Sequence, residues 1–470
     1  MSKISAMLDL GKRSLMNNQT ALQTVGHNIA NKSTEGFSRQ RVEVVTNQPQ
    51  GEGNLRIGMG ARAGVITRVN NPWLEKQIQR EGSNLGFADA KADGLNRVEQ
   101  VYNEQTNKGL NQYMTGFFNS FRELSNNPES LSSRTMVREA SESMTKEFGR
   151  VTTQLGDVQK DLDGQLMTLT EEVNLMSKEV ADLNEKIQIV EAQGMPANDE
   201  RDRRDLLLKK MGEKIDISWA EGKDGHISVT AGRTAILVSG TSSTKIRAAP
   251  TSDRNRVEIF YQSSPTGTPV NITNQIKGGR MGGALEVRDE VIEGFLDSID
   301  KMAYSLAEEV NKVHIEGFDR SGKPGVLFFE MPEQVKGAAS TLSLNRTIAN
   351  DVGRIAAGSE SGAPGDNTVA NVISSLQHRQ VMDDGTATFD DFYNTQVGQV
   401  GAVTQRAIKG QESQKNVVDQ LQNIRESISG VSLDEETTKM IEFQKAYSAS
   451  ARLIRVADEM FDTVLSLKRM

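Results

Sequence analysis

The residues that most often do chemistry in proteins are few and scattered in this sequence. The four histidines lie in separate predicted elements without the spacing of metal ligands; they are His27, His226, His314 and His378. No G-x-S-x-G, H-E-x-x-H or P-loop sequence occurs, and the chain has no cysteine to serve as nucleophile, disulfide partner or metal ligand. We therefore predict no catalytic residues, no metal and no cofactor.

One glycine-rich run superficially resembles a phosphate-binding loop. In GMGARAG, residues 58–64, the third glycine comes one position late, and the strand-like VITRV follows where a phosphate loop requires a helix. A β-turn before a strand is the better interpretation.

Composition narrows the class of protein. The 470 residues carry a formal net charge of −8 without a dense Lys/Arg block, which argues against nucleic acid and anionic membranes as partners. No apolar run is long enough to span a membrane, and the N-terminus lacks the apolar core of a secretory signal. Only 36% of residues are hydrophobic, which favours an elongated molecule of roughly two to four domains with long solvated helices.

The elements that must position any site are mainly long helices. Proline is absent before Pro49, between Pro128 and Pro196, and after Pro364, and these gaps contain the strongest helical periodicity. In the second gap, apolar residues recur every seventh position, which predicts a long helix of a coiled-coil-like bundle; they are Leu155, Leu162, Leu169, Met176, Leu183 and Val190.

Both chain ends carry a narrow apolar stripe at helical spacing. The N-terminal stripe consists of Ile4, Leu8, Leu15, Leu22, Val25 and Ile29, with Gly11 and Asn18 in its gaps. The C-terminal stripe consists of Leu433, Met440, Tyr447, Ile454 and Phe461, with Phe443, Ala457 and Val464 beside it. Asp434 and Glu436 add negative charge where the C-terminal helix begins. Each helix could dock on its own globular domain, but a thin stripe at a terminus favours pairing of the two helices with each other and with neighbouring copies.

Short β-rich runs interrupt the helices in the middle of the chain. Segments such as HISV, AILVSG and RVEIFYQ, separated by turn residues, predict a β domain at 213–283. The predicted fold is mainly α with this inserted β domain. Its remaining parts are an inner domain of terminal helices, 1–40 and 430–470, and a helical rod-like domain, 41–212 and 284–429, with an irregular segment at 314–366.

The turn after the first helix resembles a known family. GHNIANKSTEGFSRQRV, residues 26–42, is similar to the signature "NNIAN-x-x-T-x-G-[YF]-x-R" shared by flagellar rod, hook and hook-associated proteins. His27 replaces the commoner Asn and Glu35 a frequent Pro, and neither changes the spacing.

The C-terminal sequence distinguishes between the members of this group of flagellar proteins. QKAYSASARLI, within residues 431–467, resembles the hook-associated protein 1 family, whereas hook and rod proteins usually carry a "QRGYxANAR" version. Segments 183–211, 282–325 and 362–376 resemble the same family in order and spacing, so the likeness covers essentially the whole chain.

The resemblance implies a structural protein without an active site that forms the junction between hook and filament. Its implied partners are copies of itself in a helical assembly, hook protein on one side, the next hook-associated protein on the other, and an export chaperone at the C-terminal helix. It implies an extracellular place on the flagellum after export by the flagellar type III apparatus, with a transient stay in the cytoplasm. A hook or rod subunit is the alternative within this class, and a soluble enzyme on a helical scaffold is the alternative outside it.

Overall fold

The structure is a computed structural model, and it describes residues 2–52, 55–102, 109–251, 256–264, 266–363 and 365–467. Helices dominate these residues and several small antiparallel sheets interrupt them, which confirms the predicted fold class.

The described helices extend beyond the proline-free gaps, although the three longest of them lie within these gaps. They are α1 (Ser2–Ala30), α2 (Pro72–Val101), α3 (Leu110–Asn126), α4 (Leu131–Ala192), α5 (Asn198–Lys214), α6 (Gly279–Glu286), α7 (Ile292–Ile315), α8 (Ala338–Thr341), α9 (Arg346–Asn350), α10 (Thr368–Ser375), α11 (Phe389–Ser429) and α12 (Leu433–Leu467). A single π turn, Val287–Val291, joins α6 to α7.

The strands pair in small antiparallel sheets. They are β1 (Gln40–Thr46), β2 (Gln50–Glu52), β3 (Leu55–Ile57), β4 (Ala61–Arg68), β5 (Ile217–Glu221), β6 (Ile227–Ala231), β7 (Ala235–Ser239), β8 (Ser242–Ser243), β9 (Ile246–Thr251), β10 (Arg256–Tyr261), β11 (Val270–Asn271), β12 (Phe329–Glu330) and β13 (Ser343–Leu344). Strands β5 to β8 form one sheet in chain order, and β9 to β11 form another.

Helix α4 makes the molecule long. Its 62 residues span about 93 Å at the rise of an α-helix. Ser130 begins it, because the hydroxyl oxygen accepts a hydrogen bond from the Ser133 N–H. The column Leu155, Leu162, Leu169 and Leu183 is buried, so the heptad pattern marks the side that faces the body.

The β insert is fastened to α4 by two asparagines. The Asn174 amide donates to the Ile246 carbonyl at 2.8 Å and accepts from the Ile246 N–H at 2.9 Å. The Asn184 amide donates to the Ile227 and Gly240 carbonyls at 2.8 and 2.7 Å. Backbone groups at the insert's edge are thereby satisfied by the helix, which holds both sheets against α4.

Residues 40–68 differ from the expectation of a helical domain beginning at 41. Strands β1 and β4 form a hairpin with a bulge between Val42 and Val44, and the strand predicted after the GMGARAG turn is β4. The hairpin lies on α1, since the Asn17 amide donates to the Ala61 carbonyl at 2.8 Å and accepts from the Ala63 N–H at 2.7 Å. A two-stranded hairpin is barely stable alone, and α1 supplies its support.

The segment predicted to be irregular, 314–366, is short of regular structure but contributes to the main core. Phe328 and Phe329 pack at ring distances of 5.2 to 5.9 Å against the aromatic residues of α3 and α7, among them Phe117, Phe121 and His314. All these side chains are fully buried. This segment therefore fills part of the hydrophobic core of the helical body, although its sequence is rich in turn residues.

His314 is a buried, neutral part of this core. Its Nδ1–H donates to the Val326 carbonyl at 2.6 Å, and its Nε2 accepts the Ala356 N–H at 2.8 Å. Burial, together with the nearby charges of Arg134 and Arg354, lowers the pKa of His314 to about 4. The histidine thus links three chain segments through hydrogen bonds inside the core.

We expect His314 to make the protein less stable as the pH falls from about 6.5 to about 4. In this window the unfolded chain binds a proton that the folded chain excludes, so the free energy of unfolding drops by about 2.5 kcal/mol between pH 7.5 and 4.5. Denaturant unfolding at both pH values measures the drop. It should shrink by that amount in His314→Gln and persist in His378→Gln, whose side chain is exposed. An equal drop in wild type and His314→Gln would contradict this assignment.

Candidate functional site: the paired terminal helices and their polar junction

Helices α1 and α12 pack against each other in antiparallel orientation. The Ser14 and Ser450 hydroxyls are 2.8 Å apart, and the Asn18 amide donates to the Ser450 hydroxyl at 3.3 Å. Gly11 lies against Ile454, since a Cβ at Gly11 would come within 2.7 Å of its Cγ1. The chain ends thus form a two-helix pair.

The residues of α1 that face α12 are small or polar. Gly11, Ser14, Asn18 and Asn28 contact α12, and the buried Ala21 and Val25 continue the same line at helical spacing. The larger apolar residues of the predicted stripe lie one column to the side. Leu8, Leu15, Leu22 and Ile29, here called the leucine column, are only half-buried, as is Ile4.

The C-terminal stripe is distributed differently. Ala457 is fully buried, and Leu433 and Val464 are exposed. The other predicted residues are half-buried; they are Met440, Phe443, Tyr447, Ile454 and Phe461. Further exposed apolar residues lie at several positions around α12, namely Ile441, Val456, Met460 and Leu465.

We expect the two-helix pair to open easily in the free monomer. Its interface contains glycine, serine, asparagine and alanine beside the larger Val25 and Ile454, so a limited apolar area offsets a backbone ordering cost of about 1 to 2 kcal/mol per residue. Hydrogen exchange of purified monomer should show amides of residues 4–16 and 450–465 exchanging at least a hundredfold faster than amides in the middle of α4. Equal protection of these segments would show that the pair is stable alone.

The family-like turn after α1 forms the base of this pair, here called the polar junction. The Asn28 amide donates to the Gln40 carbonyl and to Glu436 Oε2, both at 2.9 Å, and its oxygen accepts the Gln40 N–H at 2.9 Å. Asn28 and Glu436 are each 1% exposed. This asparagine therefore joins α1, β1 and α12, and both its amide nitrogen and its amide oxygen are hydrogen-bonded.

Arg39 adds a second link to α12. Its Nε donates to Glu436 Oε1 at 2.8 Å, and its guanidinium lies 3.0 Å from the exposed Glu435. The Arg39 N–H donates to the Ser429 carbonyl at the end of α11 at 2.9 Å. One arginine thus fixes the corner between α11 and α12.

Arg425 links the same turn to the helical body. Its Nε donates to Glu75 of α2 at 2.9 Å, and its Nη2 donates to the carbonyls of Gly36 and Phe37 at 3.1 and 3.3 Å. Gly36 has φ of +84°, and a Cβ there would press on Leu206 at 3.0 Å. Glycine is required at this position because both conformation and space exclude a side chain.

A carboxylate of α5 completes the junction. Asp202 accepts the Ser38 N–H at 2.8 Å and pairs with Arg68 of β4 at 2.7 Å. Burial raises the pKa of the Asp202 carboxyl, while Arg68 and the Ser38 N–H oppose that rise. The family-like residues therefore contact α2, α5, α11 and α12 at one place.

The arrangement suits a mechanical role. Every charged group named in the junction has a protein partner, so the network sets the direction in which the terminal pair leaves the body. Among the described side chains, no group of three or more His, Asp or Glu residues is placed to hold a metal ion. Within the described helices, none combines the length and apolar content of a membrane span.

Sequence reasoning did not identify the roles of Glu436 and Arg425. Glu436 was interpreted as a first-turn acid, whereas the structure buries it as the acceptor for Asn28 and Arg39. Arg425 carried no signal beyond its place in a long polar helix. The residues that Glu436 and Arg425 contact lie hundreds of positions away along the chain. Local sequence patterns therefore do not indicate these contacts.

Comparisons with known proteins agree with this geometry. The profile described as "Flagellar hook-associated protein FlgK helical domain" matches residues 95–329, and that described as "Flagellar basal body rod FlgEFG protein C-terminal" matches residues 425–467. Flagellar hook-associated protein 1 of Bacillus subtilis is 28% identical, over 98% of this chain and 97% of the relative. The Escherichia coli protein of that name is 22% identical, over 99% of this chain and 100% of its own length.

A solved structure shows the same fold. The flagellar hook junction protein FlgK from Burkholderia pseudomallei superimposes with a TM-score of 0.68 at 15% identity, covering 75% of this chain and all of that one. Fold, terminal pair and profile matches together define a structural protein of the flagellum. The chain belongs to the FlgK family of flagellar hook-associated proteins, which are structural components and not enzymes.

Proposed function

We propose that this hook-associated protein polymerises at the tip of the hook and forms the junction on which the filament starts. The leucine column supports this most directly, because Leu8, Leu15, Leu22 and Ile29 form a continuous line that stays only half-buried when α1 is paired with α12. A neighbouring terminal helix would cover that line in the manner of a coiled coil. The terminal helices of many copies then form the inner domain around an axial channel.

The assembly is heterologous. Each copy presents one surface to the next, and a rotation that does not close winds a helical lattice. Hook protein lies on one side and the next hook-associated protein on the other. The residues proposed for subunit contacts are those of both terminal stripes, with the leucine column and the exposed Leu433 and Val464 contributing most.

Export precedes assembly in this proposal. The chain leaves the cytoplasm through the flagellar type III apparatus and becomes extracellular on the flagellum. Until then an export chaperone holds α12, whose exposed Val456 and Met460 lie one turn apart on the same side and offer an apolar face to a groove.

Deleting the gene from its host tests the junction role. Cells without the protein should build complete hooks without filaments and shed flagellin into the medium, as seen by electron microscopy and by blotting culture supernatants. Normal filaments in such cells would refute the proposal.

A hook or rod subunit remains the second candidate, because the C-terminal match at 425–467 is to a profile named for rod proteins. The same gene deletion distinguishes a hook or rod subunit from a junction protein. Loss of the hook itself would favour the subunit role, whereas an intact hook of normal length favours the junction.

A further inference from the structure

An apolar groove lies between α2 and α11 on one side of the helical body. Its floor consists of Phe87 and Ala88 from α2 and Val403, Ala407 and Gly410 from α11, and it encloses about 520 Å³. Small residues on α11 keep the groove open. Nothing within 4 Å would obstruct a Cβ at Gly410. The groove can therefore receive side chains from another surface.

The edge of this groove carries positive charge. Arg406 and Lys91 border it together with the polar Asn84 and Gln414. Lys91 is paired with Glu286 at 2.6 Å, whereas Arg406 makes no ion pair among the described residues and donates only to a carbonyl of its own helix. An incoming surface with a free carboxylate would suit Arg406.

An apolar ridge lies on the outer side of α4. Leu175 is 70% exposed, the most of any leucine among the described residues, and Met167 lies two turns away on a neighbouring column, also exposed. One turn before Leu175 stands Glu171, an exposed acid with no ion pair in the described part of the chain. A leucine beside a free carboxylate complements a groove beside a free arginine.

Groove and ridge lie on opposite sides of the body. Helix α11 packs on α2, and α2 packs on α4 both directly and through α5 and α6, so the layer that contains α2 separates α11 from α4. Leu175 of one chain therefore cannot reach the groove of the same chain.

The two surfaces also lie at the same height. Next to Leu175, Glu172 of α4 pairs with Lys214 of α5 at 2.6 Å. The adjoining Glu213 carbonyl touches Gly86 of α2, and one turn earlier Glu81 accepts from Gln414 of α11 at 2.7 Å. This row of contacts crosses the molecule from the ridge to the groove, so copies standing side by side would bring one against the other.

We infer that the α2–α11 groove of one copy receives Leu175 of the next copy, with Arg406 facing Glu171. This lateral contact rests on the proposed self-assembly and names the outer surfaces that take part in it, away from the terminal helices. It is heterologous, as a helical or ring-like row of copies requires.

The absence of cysteine permits a clean test. The double variant Leu175→Cys/Gly410→Cys, expressed in place of the native protein, introduces the only two thiols of the chain. Purified hook–filament structures are treated with a short bifunctional maleimide and separated by denaturing electrophoresis. We expect a ladder of covalent multimers, at least tenfold stronger than in Met136→Cys/Gly410→Cys, where the first thiol lies on the same helix about 58 Å away.

The outcomes separate this inference from the proposed function. Attached filaments without a ladder would overturn the lateral contact and leave the junction role standing. If the double variant does not assemble, Leu175→Asp decides: it should reduce incorporation at least tenfold, while Ile236→Asp on the exposed side of the β insert should not. Wild-type incorporation of Leu175→Asp would overturn the inference.

Discussion

Replacing Leu15 by aspartate should abolish filament attachment while leaving the monomer folded. Leu15 lies in the middle of the leucine column and is only half-buried, so the carboxylate retains access to water in the monomer. In the proposed assembly a neighbouring helix would bury it without a partner, at a cost of about 3 kcal/mol or more per contact, a factor of at least about a hundred in association. Swimming in soft agar and electron microscopy of hook tips measure the effect.

Gln19→Asp is the matched control for this substitution. It places the same charge four residues further along the same helix, on its exposed face. Cells with Gln19→Asp should swim and carry filaments like wild type. Wild-type motility of Leu15→Asp would remove the leucine column from the subunit interface.

Replacing Glu436 by alanine should detach the terminal pair from the body. The change leaves the Asn28 amide without its acceptor and deprives Arg39 of its buried partner, which costs about 3 kcal/mol in the local free energy of opening. Amides in the first turns of α12 should then exchange about a hundredfold faster. Hydrogen exchange with mass spectrometry reads this directly.

Glu435→Ala provides the comparison. The Glu435 carboxylate, next to Glu436 in the chain, also pairs with Arg39 but is 60% exposed. An exposed pair of this kind contributes less than about 1 kcal/mol. Equal exchange rates in the two variants would mean that the polar junction does not hold the helices. Filament attachment should fail in Glu436→Ala and persist in Glu435→Ala.

The long helices and the class of protein were predictable from local sequence. Absence of proline and a seven-residue apolar repeat predicted a helix over 151–190, and the structure extends it back to Leu131, where Ser130 caps it. Family-like residues in 26–42 and 431–467 indicated an axial flagellar protein, and the comparisons confirm the family.

The candidate site was predictable only in part. The terminal stripes were found, yet the face that pairs within the chain runs through Gly11, Ser14 and Asn18, which a search for apolar residues passes over. The hairpin at 40–68 and the aromatic core of the irregular segment were not anticipated, because both depend on helices distant in sequence for their support.

By itself the sequence determined where the long helices lie, the presence of β structure between them and the family, since backbone hydrogen bonding and side-chain periodicity act over a few turns of chain. The tertiary structure alone decided which side of each terminal helix is covered, that Glu436 and Arg425 are buried anchors, and that His314 is neutral. These features depend on desolvation and on partners from remote segments, whose free energies exist only once the chain has brought them together.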